Sequence, residues 1–190
     1  MPSHAGKYTL GPDSATLTVR TGKRGAAAAA GHNLQITVSS WSATLQLAAD
    51  PAASRLSLTA DSRSLRVIAG TGGAQALGAD DMTAIEQTID SDVLKGGAIS
   101  FQSTKIHSAA DHGGAEDDLH VHGHLDLLGH TGPLEFTLKL DDAGHLTGTA
   151  TIIQTAFGLK PYSTLFGTLK VADEVEVSVE GTLPAVAQSA

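Results

Sequence analysis

Three histidines at every second position, His120, His122 and His124, form the one group in this sequence whose residue types and spacing suit a metal ion. Alternate residues of a strand share a face and lie roughly 6.5–7 Å apart at the backbone. Two neighbouring imidazoles can therefore share a zinc, copper or nickel ion, whereas His120 and His124, about 13 Å apart, cannot both reach it. A complete site needs a further ligand, and Asp126, Glu135 and His107 are the candidates. The row occupies the polar face of its strand, opposite the apolar one, so adventitious metal uptake is the expectation and no residue is assigned to a resident metal.

Other chemistry finds less material. Cysteine is absent, which excludes disulfides, thiolate metal sites and cysteine nucleophiles. No Gly-x-Ser-x-Gly elbow occurs, and Gly70-Thr71-Gly72-Gly73 lacks the Lys-Ser/Thr of a phosphate loop and reads as a turn. His32 with Asn33, and Tyr162, are the groups that could transfer a proton in a small barrel enzyme acting on an apolar substrate. Solvation of strand-start residues explains them equally well. No catalytic residue is assigned, the chain is read as non-enzymatic, and no cofactor is expected.

The elements that must position these side chains follow from hydrophobic period. From Leu119 to Leu140 the chain alternates strictly around Gly129-His130-Thr131-Gly132. Val121, Gly123, Leu125 and Leu127 share one face of the first strand, and Leu134, Phe136, Leu138 and Leu140 share one face of the second, which predicts an antiparallel hairpin. The same alternation recurs at Leu17/Val19, Leu34/Ile36/Val38, Ala43/Leu45/Leu47, Leu56/Leu58/Ala60 and Ile99/Phe101. It returns in Thr147 to Ala156 and Thr168 to Val179. Turn signals separate the segments at Asp50-Pro51, Gly96-Gly97, the polar run Ala109 to Asp118, and Asp141 to Gly144. One segment differs. Met82, Ile85, Ile89 and Val93 are spaced three or four apart, which predicts a single amphipathic helix over 80–94 with Asp80 or Asp81 as N-cap. Many short antiparallel strands with one helix indicate an all-β barrel or sandwich whose helix covers a barrel end or a sheet face.

Composition bounds function. The 190 residues suit one well-filled domain over 1–190. Hydrophobic residues make up 41% but aromatics only 4%, with 21 glycines, so an interior filled mainly by Leu, Val, Ile and Ala permits a cavity. The net charge of −8, with no run among the twelve Lys and Arg residues, lacks the footprint of a nucleic-acid binder. No segment approaches the length of an integral membrane span, and the N-terminus has no basic, then apolar, secretory pattern. As written the chain is expected in the cytoplasm, or in the periplasm or secreted if a leader precedes it.

Four pieces, in order, resemble the YceI-like family of lipocalin-like barrels associated with polyisoprenoid binding. They are ISFQST at Ile99–Thr104, VHGHLDLLGHTGPLEF at Val121–Phe136, QTAFGL at Gln154–Leu159 and VADEVEVSVEG at Val171–Gly181. The helix over 80–94 stands where the family usually has Arg-Asp-x-His-Leu followed by Phe-Phe-Asp. The resemblance implies an antiparallel eight-stranded lipocalin-like barrel around one elongated apolar cavity. It also allows a homodimer. Inward positions then form the candidate ligand wall: Leu17, Val19, Ile36, Leu45 and Leu58 from the first half, and Phe101, Leu125, Leu127 and Phe136 from the second. Phe157, Tyr162 and Phe166 complete it. The implied partner is a long-chain isoprenoid or lipid-like small molecule, held by burial of its tail. The implied role is transport or storage of an isoprenoid, isoprenoid quinone or fatty-acid derivative.

Overall fold

The computed structural model describes residues 4–112 and 118–184, and it places a strand at every alternating segment. In chain order the strands are Gly6–Leu10 (β1), Ala15–Arg24 (β2), Asn33–Val38 (β3), Trp41–Leu47 (β4), Arg55–Asp61 (β5) and Leu65–Thr71 (β6). A helix, Ala79–Thr88 (α1), continues as a π-helical turn over Ile89–Leu94. There follow Ala98–Ser108 (β7), Leu119–Leu127 (β8), His130–Leu140 (β9), His145–Ile153 (β10), Ser163–Thr164 (β11) and Leu169–Thr182 (β12). All of the pairings are antiparallel, in one curled sheet.

Twelve strands replace the eight expected, and the register explains the difference. β1 pairs β4 with Leu10 opposite Ala43, while β2 pairs β3 with Thr18 opposite Thr37. β3 pairs β6 through Ile36 and Val67, while β4 pairs β5 through Leu45 and Leu56. Thus β1/β2, β3/β4 and β5/β6 are three long strands, each bent once, at Gly11–Ser14, Ser39–Ser40 and Ser62–Ser64. The two serine bends are tied together: Ser39 N–H donates to Ser64 O at 2.9 Å and Asp61 N–H to Ser40 O at 3.0 Å. Joined through the bends, and without the two-residue β11, the strands run round in chain order until β12 pairs back onto β2.

The sheet has two free edges, β1 and β6. β5 pairs β7, but β6 pairs only β3, so its other edge needs cover. The helix supplies it, since the Glu86 carboxylate accepts from the Val67 backbone N–H at 2.8 Å. Met82, Ile85, Ile89 and Val93 pack against the core as their spacing predicts. The N-cap is Gly78 rather than Asp80 or Asp81. Asp81 instead sits one turn in and accepts from the Gly78 N–H at 3.2 Å, satisfying a donor at the helix start.

Two further expectations are corrected. The β8–β9 turn is Leu128-Gly129, with φ of 59° and 82°, and His130 to Gly132 already belong to β9. Two consecutive left-handed residues make the tight hairpin whose twist suits its strands. Leucine is unusual there, and its side chain is held by packing over Gly97. Gly70-Thr71 is strand, not turn, because it closes β6 against Asn33 and Leu34 of β3. Of the polar turn predicted over Ala109 to Asp118, residues 113–117 lie outside the described residues.

Candidate functional site

The inward rows do not meet. They surround a cavity of about 820 Å³ whose wall draws on nearly every long strand and on the helix. Alternation is the cause: side chains at every second position point inward, and Leu, Val, Ile and Ala are too short to reach across a ring of this size.

Ten of the twelve expected wall residues border this cavity. Leu17 and Val19 come from β2, Ile36 from β3, Leu45 from β4 and Leu58 from β5. Phe101 comes from β7, Leu125 and Leu127 from β8, Phe136 from β9, and Tyr162 from the connection before β11. Phe101 and Phe136 meet at 5.5 Å between ring centres. Phe157 and Phe166 lie elsewhere. Phe157 is buried in the core with its ring against Gly132, and Phe166 is fully exposed in a left-handed turn with φ of 56°. An aromatic cluster in sequence is scattered here because a helical turn closed by left-handed Gly158 and the Leu165–Gly167 turn, which joins antiparallel β11 and β12, separate the three rings.

The sequence reading missed part of the wall. Ile85, Ile89 and Val93 of the helical stripe line the cavity, so the helix is wall as well as cover. Val175, Val177 and Val179 of β12 line it too, and their alternation was the signal available. Trp41, the only tryptophan, opens β4 with the same inward phase as Ala43 and Leu45. Its indole Nε1 is buried and has no hydrogen-bond acceptor among the described residues.

Polar groups gather where the connections after β2 and β6 approach one another. Lys23 Nζ donates to Gly31 O at 2.7 Å and also to Gly72 O, pinning the two connections together. His32 Nε2 lies 2.8 Å from Gln75 O. Lys23, His32, Gln75 and Asp81 all border the cavity, as does Lys170 of β12. His32 is therefore engaged with a backbone carbonyl, and no hydrogen bond joins it to Tyr162 among the described residues. Asn33 opens β3, exposed, opposite Thr71.

The histidine row lies on the other side of the wall. In β8 the residues Leu119, Val121, Gly123, Leu125 and Leu127 are buried, and His120, His122 and His124 face outward. Asp126 is occupied in the turn, accepting from Gly129 N at 3.1 Å and Thr131 Oγ1 at 2.9 Å. Glu135 and His107 are the two predicted neighbours that the fold brings beside His120 and His122.

Among the described residues no helix is long and apolar enough to cross a membrane. Solved structures share the architecture. BcnA of Burkholderia cenocepacia superposes with a TM-score of 0.61 at 17% identity, over 87% of this chain and 94% of that one. A polyisoprenoid binding domain from Saccharophagus degradans, described as implicated in plant cell wall breakdown, gives 0.50 at 12% identity, over 93% and 99%. At such identities the likeness concerns the fold. No curated protein matches the sequence. The YceI-like domain model matches residues 8–183, a span that runs from within β1 to just past β12 and so contains every strand of the cavity wall, and the chain belongs to the YceI-like family.

Proposed function

We propose that the protein binds one long-tailed apolar amphiphile in the barrel cavity, for transport or storage and without chemical change. Isoprenoids, isoprenoid quinones and fatty-acid derivatives fit this description. The carrying observation is the cavity of about 820 Å³ with a largely aliphatic wall and a polar group at Lys23, His32 and Gln75. Such a volume falls in the range of about 300–1,000 Å³ usual for small-molecule sites. Burial of a tail contributes about 0.8 kcal/mol per CH₂ before the cost of ordering it, so tail length sets affinity. The polar end then orients a head group. One solved relative is described as a polyisoprenoid binding domain, which supports an isoprenoid as the first ligand to try. His32 is engaged with the Gln75 backbone carbonyl, and among the described residues no hydrogen bond joins it to another side chain, which favours binding over catalysis.

Trp41 makes the test direct, because the single indole borders the cavity. Titrating delipidated protein with a prenol or a long fatty acid is expected to change Trp41 fluorescence saturably, and organic extraction of protein from its native host is expected to release a compound with a long apolar tail. A protein that emerges empty and shows no fluorescence change with prenyl or acyl ligands overturns the proposal.

A further inference from the structure

The outer face of the β8–β9 hairpin carries a group of side chains that the cavity does not use. His122 and Glu135 stand directly opposite one another in the register, and His120 is the next outward residue of β8. His122 Nδ1 lies 3.2 Å and His120 Nε2 4.0 Å from Glu135 Oε2. The two imidazole rings are 4.5 Å apart. One ligand atom from each of the three residues lies within 4.8 Å of the other two. Around a tetrahedral zinc ion with bonds of about 2.0–2.2 Å, donors stand roughly 3.3 Å apart. The His122–Glu135 pair already has that spacing, and His120 reaches it by a small side-chain swing.

β7 contributes through a bulge. Its pairing with β8 shifts between Ser103 and Lys105, so Ser103 opposes Gly123 but Lys105 opposes His122 and His107 opposes His120. The extra residue reverses the inward and outward phase of the strand, burying Ile106 and turning His107 outward. The His107 ring then stacks at 5.2 Å on His122, nearly parallel at 13°, and lies 5.2 Å from His120. This packing holds both rings half-buried on an otherwise solvated face, limiting the freedom an ion would have to remove. Lys105 flanks His122 from the opposite side to Glu135 but is exposed, and its flexible stem lets the ammonium stay in water.

We propose that His120, His122 and Glu135 form a site for one borderline divalent cation, zinc in the first instance, on the outside of the barrel wall. Two imidazole nitrogens and one carboxylate oxygen suit zinc, cobalt, nickel or copper and disfavour calcium and magnesium, which require more oxygen ligands. Three protein ligands leave a fourth position for water or a group from a partner. His107 is a positioning residue, acting through the rings it packs on. The site is independent of the cavity reading, because the wall of β8 and β9 separates the two.

Calorimetric titration of zinc chloride into the full chain without an affinity tag is the test, with cobalt absorption reporting the coordination. One saturable zinc per chain is expected. Loss of an outer hydrogen-bond partner typically weakens a metal site 10–100-fold, so loss of a ligand in His122→Ala or Glu135→Gln is expected to weaken binding at least about tenfold. His124→Ala is expected to bind as the parent does, since His124 is exposed opposite Pro133 and outside the group. Glu135→Gln preserves shape at a solvent-facing position, so its result stands if His122→Ala does not fold. Absence of saturable zinc binding overturns the proposal, as do isotherms that neither substitution changes. Failure of lipid uptake leaves these outcomes untouched.

Discussion

Gly123 has no side chain, and the ring of Phe101 fills the place where a Cβ would stand, with the Gln102 carbonyl against the other side. A flexible neighbour could yield, but a paired backbone carbonyl cannot. Gly123→Ala is therefore expected to cost about 1–3 kcal/mol of stability, measured as a lower urea midpoint at unchanged slope. The same geometry places Phe101 as a broad inner surface facing Phe136, so this glycine shapes the cavity without bordering it. Trp41 works differently. It opens β4 beside the Ser39–Ser40 bend, and its buried N–H is a donor without an acceptor among the described residues.

At the scale of elements, the weak seam is the helix-covered edge of β6, where a helix side chain rather than a strand satisfies the Val67 N–H. Glu86→Ala leaves that donor unpaired, at a cost of about 1–3 kcal/mol if water cannot replace the carboxylate. Faster amide exchange at Val67 than in the parent is the expected sign, and unchanged exchange would show that the contact contributes nothing. The strands themselves were readable in the sequence because each has one wet and one dry face. The helix was readable from the spacing of Ile85, Ile89 and Val93. Three features were not. The bends at Gly11–Ser14, Ser39–Ser40 and Ser62–Ser64 divide strands whose pairing partners continue on both sides, and pairing is non-local information. The hairpin turn was displaced because Leu128 adopts a conformation that leucine seldom takes, held there by Gly97. Phe166 was taken for wall because aromatic residues usually bury area, whereas a left-handed turn carries this one into solvent. The bulge in β7 did leave a trace. Ile99, Phe101 and Ser103 keep a two-residue step, and the next inward residue, Ile106, comes three later.

For the whole molecule the decisive quantity is the interior left unfilled. Val177 lies mid-way along β12, only partly buried, with its side chain bordering the cavity. Val177→Phe adds a ring into that space while keeping the strand pattern. If the ring displaces two or three CH₂ groups of a tail, at about 0.8 kcal/mol each, affinity falls roughly 10–60-fold. The expected result is weaker fluorescence titration with a long prenol and a smaller loss with a short one, while the melting temperature of the empty protein stays the same or rises. Equal affinity in parent and variant would place the ligand somewhere other than the barrel.

The bulge beside Thr104 acts on both surfaces of the wall at once. A strand is a two-channel device in which odd positions address one environment and even positions the other, and one inserted residue exchanges the channels for everything beyond it. Here the exchange delivers Ile106 to the interior and His107 to the exterior from adjacent positions. Pairing Thr104 into the ladder would send the imidazole inward and the isoleucine into water, whereas deleting it would close the bulge and leave both in place, so the wall's inner and outer chemistries are locked to one another by one unpaired residue.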